Sequence, residues 1–110
     1  MQLRAEQFSM LVDSRRQDFL ARLATFIEEK SRRAPEPAVL AALFDRAQQY
    51  GLVTEQHVAG YVMLAWASGA RPPEPDPSWI RQLMADLHRA PADRLDALFA
   101  AADQRRETRA

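Results

Sequence analysis

Seven prolines divide an otherwise helix-prone chain into segments: Pro35 and Pro37 form one break, Pro72, Pro73, Pro75 and Pro77 a second, and Pro91 a third. Proline donates no backbone hydrogen bond and turns the residue before it away from helical geometry, so each cluster ends a helix. A proline at the first helical position also opens the next one. Between the breaks the chain favours helix, with twenty Ala and fourteen Arg among its 110 residues and few β-branched side chains. No segment alternates apolar and polar residues over strand length. The pattern predicts an all-α chain: a compact single-domain bundle of about five helices over residues 1–110, with a long N-terminal helix and a central apolar third helix.

Over residues 6–33, Phe8, Leu11, Val12, Phe19, Leu20, Leu23, Phe26 and Ile27 make a helical stripe that skips only at Arg15 and Arg16. Asp18 with Arg22, Glu28 with Arg32 and Glu29 with Arg33 stand at i,i+4 on the outer face. About 28 residues of helix reach roughly 42 Å, more than the width of a domain this size. This helix therefore breaks near Ser14 or projects at one end, and a projecting end would seat a partner or a second copy. Ala34-Pro35-Glu36-Pro37 is expected to stop it.

The second helix starts at Pro37, buries Val39, Leu40, Leu43, Phe44, Ala47 and Tyr50, and ends at Gly51 with Leu52 placed for a Schellman contact. Thr54 caps the third helix, whose body carries no charge over residues 58–70. A helix apolar nearly all round belongs at the centre, and Gly60 inside it predicts a close helix crossing. Residues 70–77 read as a stiff, extended connector. Asp76 as N-cap and Pro77 at the first position open a fourth helix, with Trp79, Ile80, Leu83, Met84 and Leu87 inward and an end near Arg89. Pro91 opens a fifth with Leu95, Leu98, Phe99 and Ala102 inward, and the polar residues 103–110 are expected to fray.

Composition narrows the function classes. Fifteen basic residues balance fifteen acidic ones and cysteine is absent, so there is no single-sign field, disulfide framework or thiolate chemistry. No apolar run reaches the roughly 20 residues that span a bilayer. The opening residues read as no signal peptide, which places the expectation in the cytoplasm.

No catalytic, cofactor or metal site is expected. His57 and His88 have no ligand-type neighbour at i+3 or i+4, the serines lie in no nucleophile elbow, and Gly51, Gly60 and Gly69 stand singly. The turn at Gly51 has the chemistry of a helix-turn-helix, but the helix after it offers only Gln56 and His57 before becoming apolar, so it reads as core. Tyr50 and Tyr61 are expected half-buried, with hydroxyls at the rim. Trp66 and Trp79 flank the proline connector; tryptophan serves as core filler or as an interface anchor.

The order Arg16-Gln17-Asp18-Phe19, Arg22-Leu23, then the block from Ala47-Gln48-Gln49-Tyr50-Gly51-Leu52-Val53-Thr54-Glu55-Gln56-His57-Val58, then Tyr61 to Leu64 and Gly69, then Asp76-Pro77 with Trp79 and Arg94-Leu95 with Leu98, resembles a family of small helical bacterial proteins. These are found beside type VI secretion effectors, their spike-tip proteins and the adaptors that load them. The sequence departs from that pattern at Arg4 and at Arg71-Pro72-Pro73-Glu74-Pro75. The resemblance implies a non-catalytic accessory role: a co-adaptor or co-chaperone that binds an effector or its adaptor. An immunity protein for a neighbouring toxin and a DNA-binding regulator are the alternatives. The expected partner is another protein, with neither nucleic acid nor membrane, docked by Arg15, Arg16 and Arg22 on the first helix and by Arg71 and Trp79 beside the connector.

Overall fold

In the computed structural model, the backbone is described over residues 5–109 and side-chain burial over 15–105. Among these residues the chain is all-helical, with α1 Ala5–Ser31, α2 Pro37–Gln49, α3 Glu55–Ala67, α4 Ser78–Met84 and α5 Pro91–Arg109. It divides into two compact units, Met1–Pro37 and Ala38–Ala110. Among the described residues no helix is long and apolar enough to cross a membrane.

The first unit is dominated by α1, which runs without a break through Ser14. Among the described residues of α1, Phe19, Leu23 and Ile27, spaced by four, are buried. Phe8, Leu11, Val12 and Arg4 lie outside the residues whose side chains are described. Phe26 is partly exposed under the Lys30 ammonium, 5.5 Å from the ring centroid. The helix stops before the prolines: Arg32 takes a left-handed conformation at φ 60°, and the Ser31 hydroxyl donates to the Ile27 carbonyl at 2.6 Å. The left-handed residue and the hydroxyl turning back on the last turn therefore end this helix ahead of Pro35.

In the second unit two helix ends share one device. At α2, Leu52 N donates to Ala47 O and Gly51 N to Gln48 O; at α3, Ala70 N donates to Ala65 O and Gly69 N to Trp66 O. Gly51 and Gly69 have φ 86° and 92°, the left-handed geometry that a Schellman cap requires. The residues after them, Leu52 and Ala70, are buried, as the motif's hydrophobic contact demands. Thr54 caps α3 as expected, its hydroxyl accepting from His57 N at 3.2 Å.

Helix α3 is central: Val58, Tyr61, Val62, Leu64, Ala65 and Trp66 are buried along it. Helix α5 packs against both α3 and α4. Gly60 does mark a crossing, since a Cβ there would lie 3.5 Å from the ring edge of Phe99 on α5. Leu40, Leu43, Leu52, Ile80, Met84 and Leu98 complete the core, each worth about 1.5–3 kcal/mol of buried apolar surface.

Two segments depart from expectation. Residues 70–77 are not extended throughout: Glu74 N donates to Arg71 O at 3.1 Å, closing a turn that contains a cis peptide between Pro72 and Pro73. Helix α4 ends at Met84, not near Arg89, and Leu87 is 72% exposed where it was expected inward. Past Met84 the chain turns locally, with His88 N donating to Asp86 Oδ1 at 3.3 Å and Arg89 N to Asp86 O at 3.2 Å. The helical backbone of α5 continues to Arg109, through the stretch expected to fray.

Candidate functional site

Asp76 is 3% exposed and lies immediately before Pro77 and α4. The N-cap of α4 is Pro77, without a side-chain bond, so Asp76 is not the cap that its position suggests. Its carboxylate instead faces back to α2 and α3. Arg46 Nη1 donates to Oδ1 at 2.6 Å, while the hydroxyls of Tyr50, at 3.3 Å, and Tyr61 both donate to Oδ2. Arg46 Nη2 also donates to the Glu74 carbonyl at 3.0 Å, so one guanidinium holds the connector at two points.

Burial accounts for the electrostatics of this cluster. It opposes the charge of Arg46, but the hydrogen bond to Asp76 and its negative charge outweigh that penalty and raise the guanidinium's pKa. Burial also raises Tyr61 far above the ordinary phenol value, followed by its hydrogen bond to Asp76 and the carboxylate's charge. Tyr50 is raised by burial, then by that charge and hydrogen bond, with Arg46 opposing. Tyr61 is fully buried and its hydroxyl lies deep in the unit, contrary to the expectation of a hydroxyl at the rim. The tyrosine rings meet edge to face, with centroids 5.5 Å apart. The cluster joins two helices to the connector.

A second polar joint lies at the start of α5. Arg94 is 3% exposed, and its Nη1 donates to the Tyr50 carbonyl at 2.9 Å and the Met84 carbonyl at 2.7 Å. One nitrogen thus clasps the C-terminal ends of α2 and α4, where carbonyls lack partners within their own helix. The sequence offered Arg94 as a motif residue, with no sign of this role.

The expected docking residues fall in both units. Arg15 and Arg22 are exposed on α1 and Arg16 is half-buried there. In the second unit, Arg71 stacks over Trp66 at 5.2 Å from the ring centroid and donates through Nη1 to the carbonyls of Trp66, at 3.0 Å, and Ala70, at 2.7 Å. Its guanidinium therefore finishes the C-terminus of α3. Trp66 is buried, whereas Trp79 is half-buried with the Arg105 guanidinium over its ring at 4.8 Å. Arg71 and Trp79 thus belong to different cation–π pairs.

Other exposed apolar side chains draw attention instead. Val53, in the turn between α2 and α3, is 86% exposed, and Leu87 is the next most exposed large hydrophobic. His57 is half-buried and His88 exposed. Among the described residues no three His, Cys, Asp or Glu side chains are grouped to hold a metal ion. No protein-family model, curated protein or solved structure matches the chain.

Proposed function

We propose that this chain is a non-catalytic accessory protein that binds another protein, a co-adaptor or co-chaperone acting in the cytoplasm in the loading of type VI secretion effectors. The observation that carries the binding role is the pair Val53 and Leu87, the two most exposed large apolar side chains among the described residues, held in solvent on two turns of the second unit. The specific setting is supported by the resemblance of the block from Ala47 to Val58, with Asp76, Pro77, Trp79 and Arg94, to proteins encoded beside such effectors. The internal use of Asp76, Arg46 and Arg71 fits a scaffold whose charged groups hold helices together.

The experiment is co-purification of the tagged full chain with the products of its neighbouring genes, each co-expressed. Retention of an effector or its adaptor is the expected result. A folded chain that retains none of them overturns the reading. Retention of a toxin, with rescue of cells expressing that toxin, would replace the adaptor role with immunity.

A further inference from the structure

Arginine pairs occur three times in the chain, at Arg15-Arg16, Arg32-Arg33 and Arg105-Arg106. The first lies inside α1 and the third inside α5, whereas Arg32 and Arg33 come after the last residue of α1 and before the first of α2. The middle pair therefore stands on non-helical backbone, close to the boundary that separates Met1–Pro37 from Ala38–Ala110. Exposed non-helical segments are where proteases cut folded chains.

The side chains of this segment are open to another macromolecule. Lys30, Arg32, Arg33 and Ala34 are all exposed. Three cations stand against one acid, Glu36, over residues 30–37, in a chain that is neutral as a whole. The local field is positive, which suits a cleft lined by carboxylates.

The backbone is equally suited. Arg32 takes φ 60°, a conformation that a side chain makes costly, and extended binding in a cleft would release it. The bonds given up come from the end of α1: Arg32 N donates to the Glu28 carbonyl at 2.7 Å and Arg33 N to the Ser31 hydroxyl at 3.2 Å. Pro35 is buried, so entry into a protease lifts it from its seat and opens residues 32–36. Either helical pair must instead lose a turn of backbone bonds on each side before it can be extended.

We propose that the Arg33–Ala34 peptide bond is a processing site for an endoprotease that reads paired arginines through carboxylates in its subsites. Water adds across the amide: its oxygen goes to the Arg33 carbonyl carbon, giving a carboxylate, and a proton goes to the Ala34 nitrogen, which leaves as an amine. The products are residues 1–33 and 34–110. Both polar joints of the second unit lie between Arg46 and Arg94, so one product keeps them whole. Arg89-Ala90-Pro91 repeats the sequence around the bond in an exposed turn, but His88 stands where the second arginine would be, so a reader of pairs passes over it.

The test treats the full chain under native conditions with an endoprotease specific for paired basic residues, followed by intact mass. Peptides spanning residues 11–20, 29–38 and 101–110 give the rate of each pair free of the fold. Relative to its own peptide, the bond after Arg33 should be cut about tenfold or more faster than those after Arg16 and Arg106. Arg32→Gln should slow this cut about tenfold or more, and Arg33→Gln should abolish it. The 34–110 product should keep the Arg94 Nε–H resonance, seen by NMR with labelled arginine and assigned by its loss in Arg94→Lys. In the cells that encode the chain, a C-terminally tagged copy should be recovered in part as a fragment beginning at Ala34. Equal relative rates at the three pairs, a first cut after Arg16 or Arg106, or an unchanged rate in Arg32→Gln each overturns the proposal. Loss of the Arg94 resonance in the product, or recovery from those cells of the uncut chain alone, does so as well.

Discussion

Tyr50 stands between two buried charges: its hydroxyl donates to Asp76, and its carbonyl accepts from Arg94. On the hydroxyl side the carboxylate has a cation on one oxygen and two phenols on the other. On the carbonyl side the guanidinium has two helix ends through one nitrogen and a second nitrogen with no acceptor. Buried polar groups fix a structure most firmly when every member has a partner, and a group left without one costs stability. The first region is a joint whose carboxylate is met on both oxygens, and the second a joint whose guanidinium is met through one nitrogen.

The largest effect should come from breaking the satisfied side. Asp76→Ala leaves Arg46 without its counter-ion and the Tyr61 hydroxyl without an acceptor inside the core, and removal of one partner from a buried pair costs about 3–5 kcal/mol. Arg46 is only half-buried, so the lower end is expected, read from the urea midpoint at unchanged slope. The Arg94 Nε–H resonance should stay in place in the folded population if the two regions are separate. A loss below about 1 kcal/mol would mean that water replaces the carboxylate and that the joint is not one.

Tyr61→Phe is the next largest, at about 1.5–3 kcal/mol for a hydrogen bond to a charged group. It also carries a pH signature. Because the folded chain holds the Tyr61 phenol neutral far above its ordinary range, its contribution is fully present below the unfolded phenol value of about 10 and declines as pH rises beyond it. Wild-type stability should therefore fall above about pH 10, with the fall shallower in Tyr61→Phe. Tyrosinate absorbance should show Tyr61 ionising only as the chain unfolds; ionisation ahead of unfolding would contradict its burial on Asp76.

Much of the helical layout is legible in sequence because its signals are local. Proline clusters, the Thr54 cap and the two glycine caps act over three to five residues, and Gly60 is conspicuous for standing inside an apolar helix. The joints are not legible, because their bonded members lie 10 to 44 residues apart and leave no period. Asp76 carries the local signature of an N-cap, Asp before Pro before a helix, yet a buried cation and two phenols claim it first. The early end of α4 was hidden for a related reason: no glycine or proline stands between Met84 and Pro91, and the Asp86 turn that ends it uses ordinary polar residues. Leu87 was thus assigned to a helix face that does not extend so far. For Arg71, one of the five expected docking residues, stacking on Trp66 and bonding to two carbonyls cannot be read from its place beside a proline run.

The smallest effect belongs to the residue the two regions share. Tyr50→Phe removes a longer hydrogen bond from a half-buried hydroxyl and leaves the carbonyl that Arg94 uses, so alone it should cost about 0.5–1 kcal/mol. Both phenols donate to the same oxygen, Oδ2, which sets how the substitutions combine. With Tyr61 present, Oδ2 keeps a buried donor when Tyr50 is lost; with Tyr61 replaced, Tyr50 is its remaining side-chain donor. Tyr50→Phe should therefore cost more in the Tyr61→Phe background, with a coupling of about 0.5 kcal/mol or more in a double-mutant cycle. Additive losses would mean that the phenols act separately. A shift of the Arg94 Nε–H resonance in Tyr50→Phe would mean that the hydroxyl and carbonyl ends of this residue communicate, and that the two buried charges form one network.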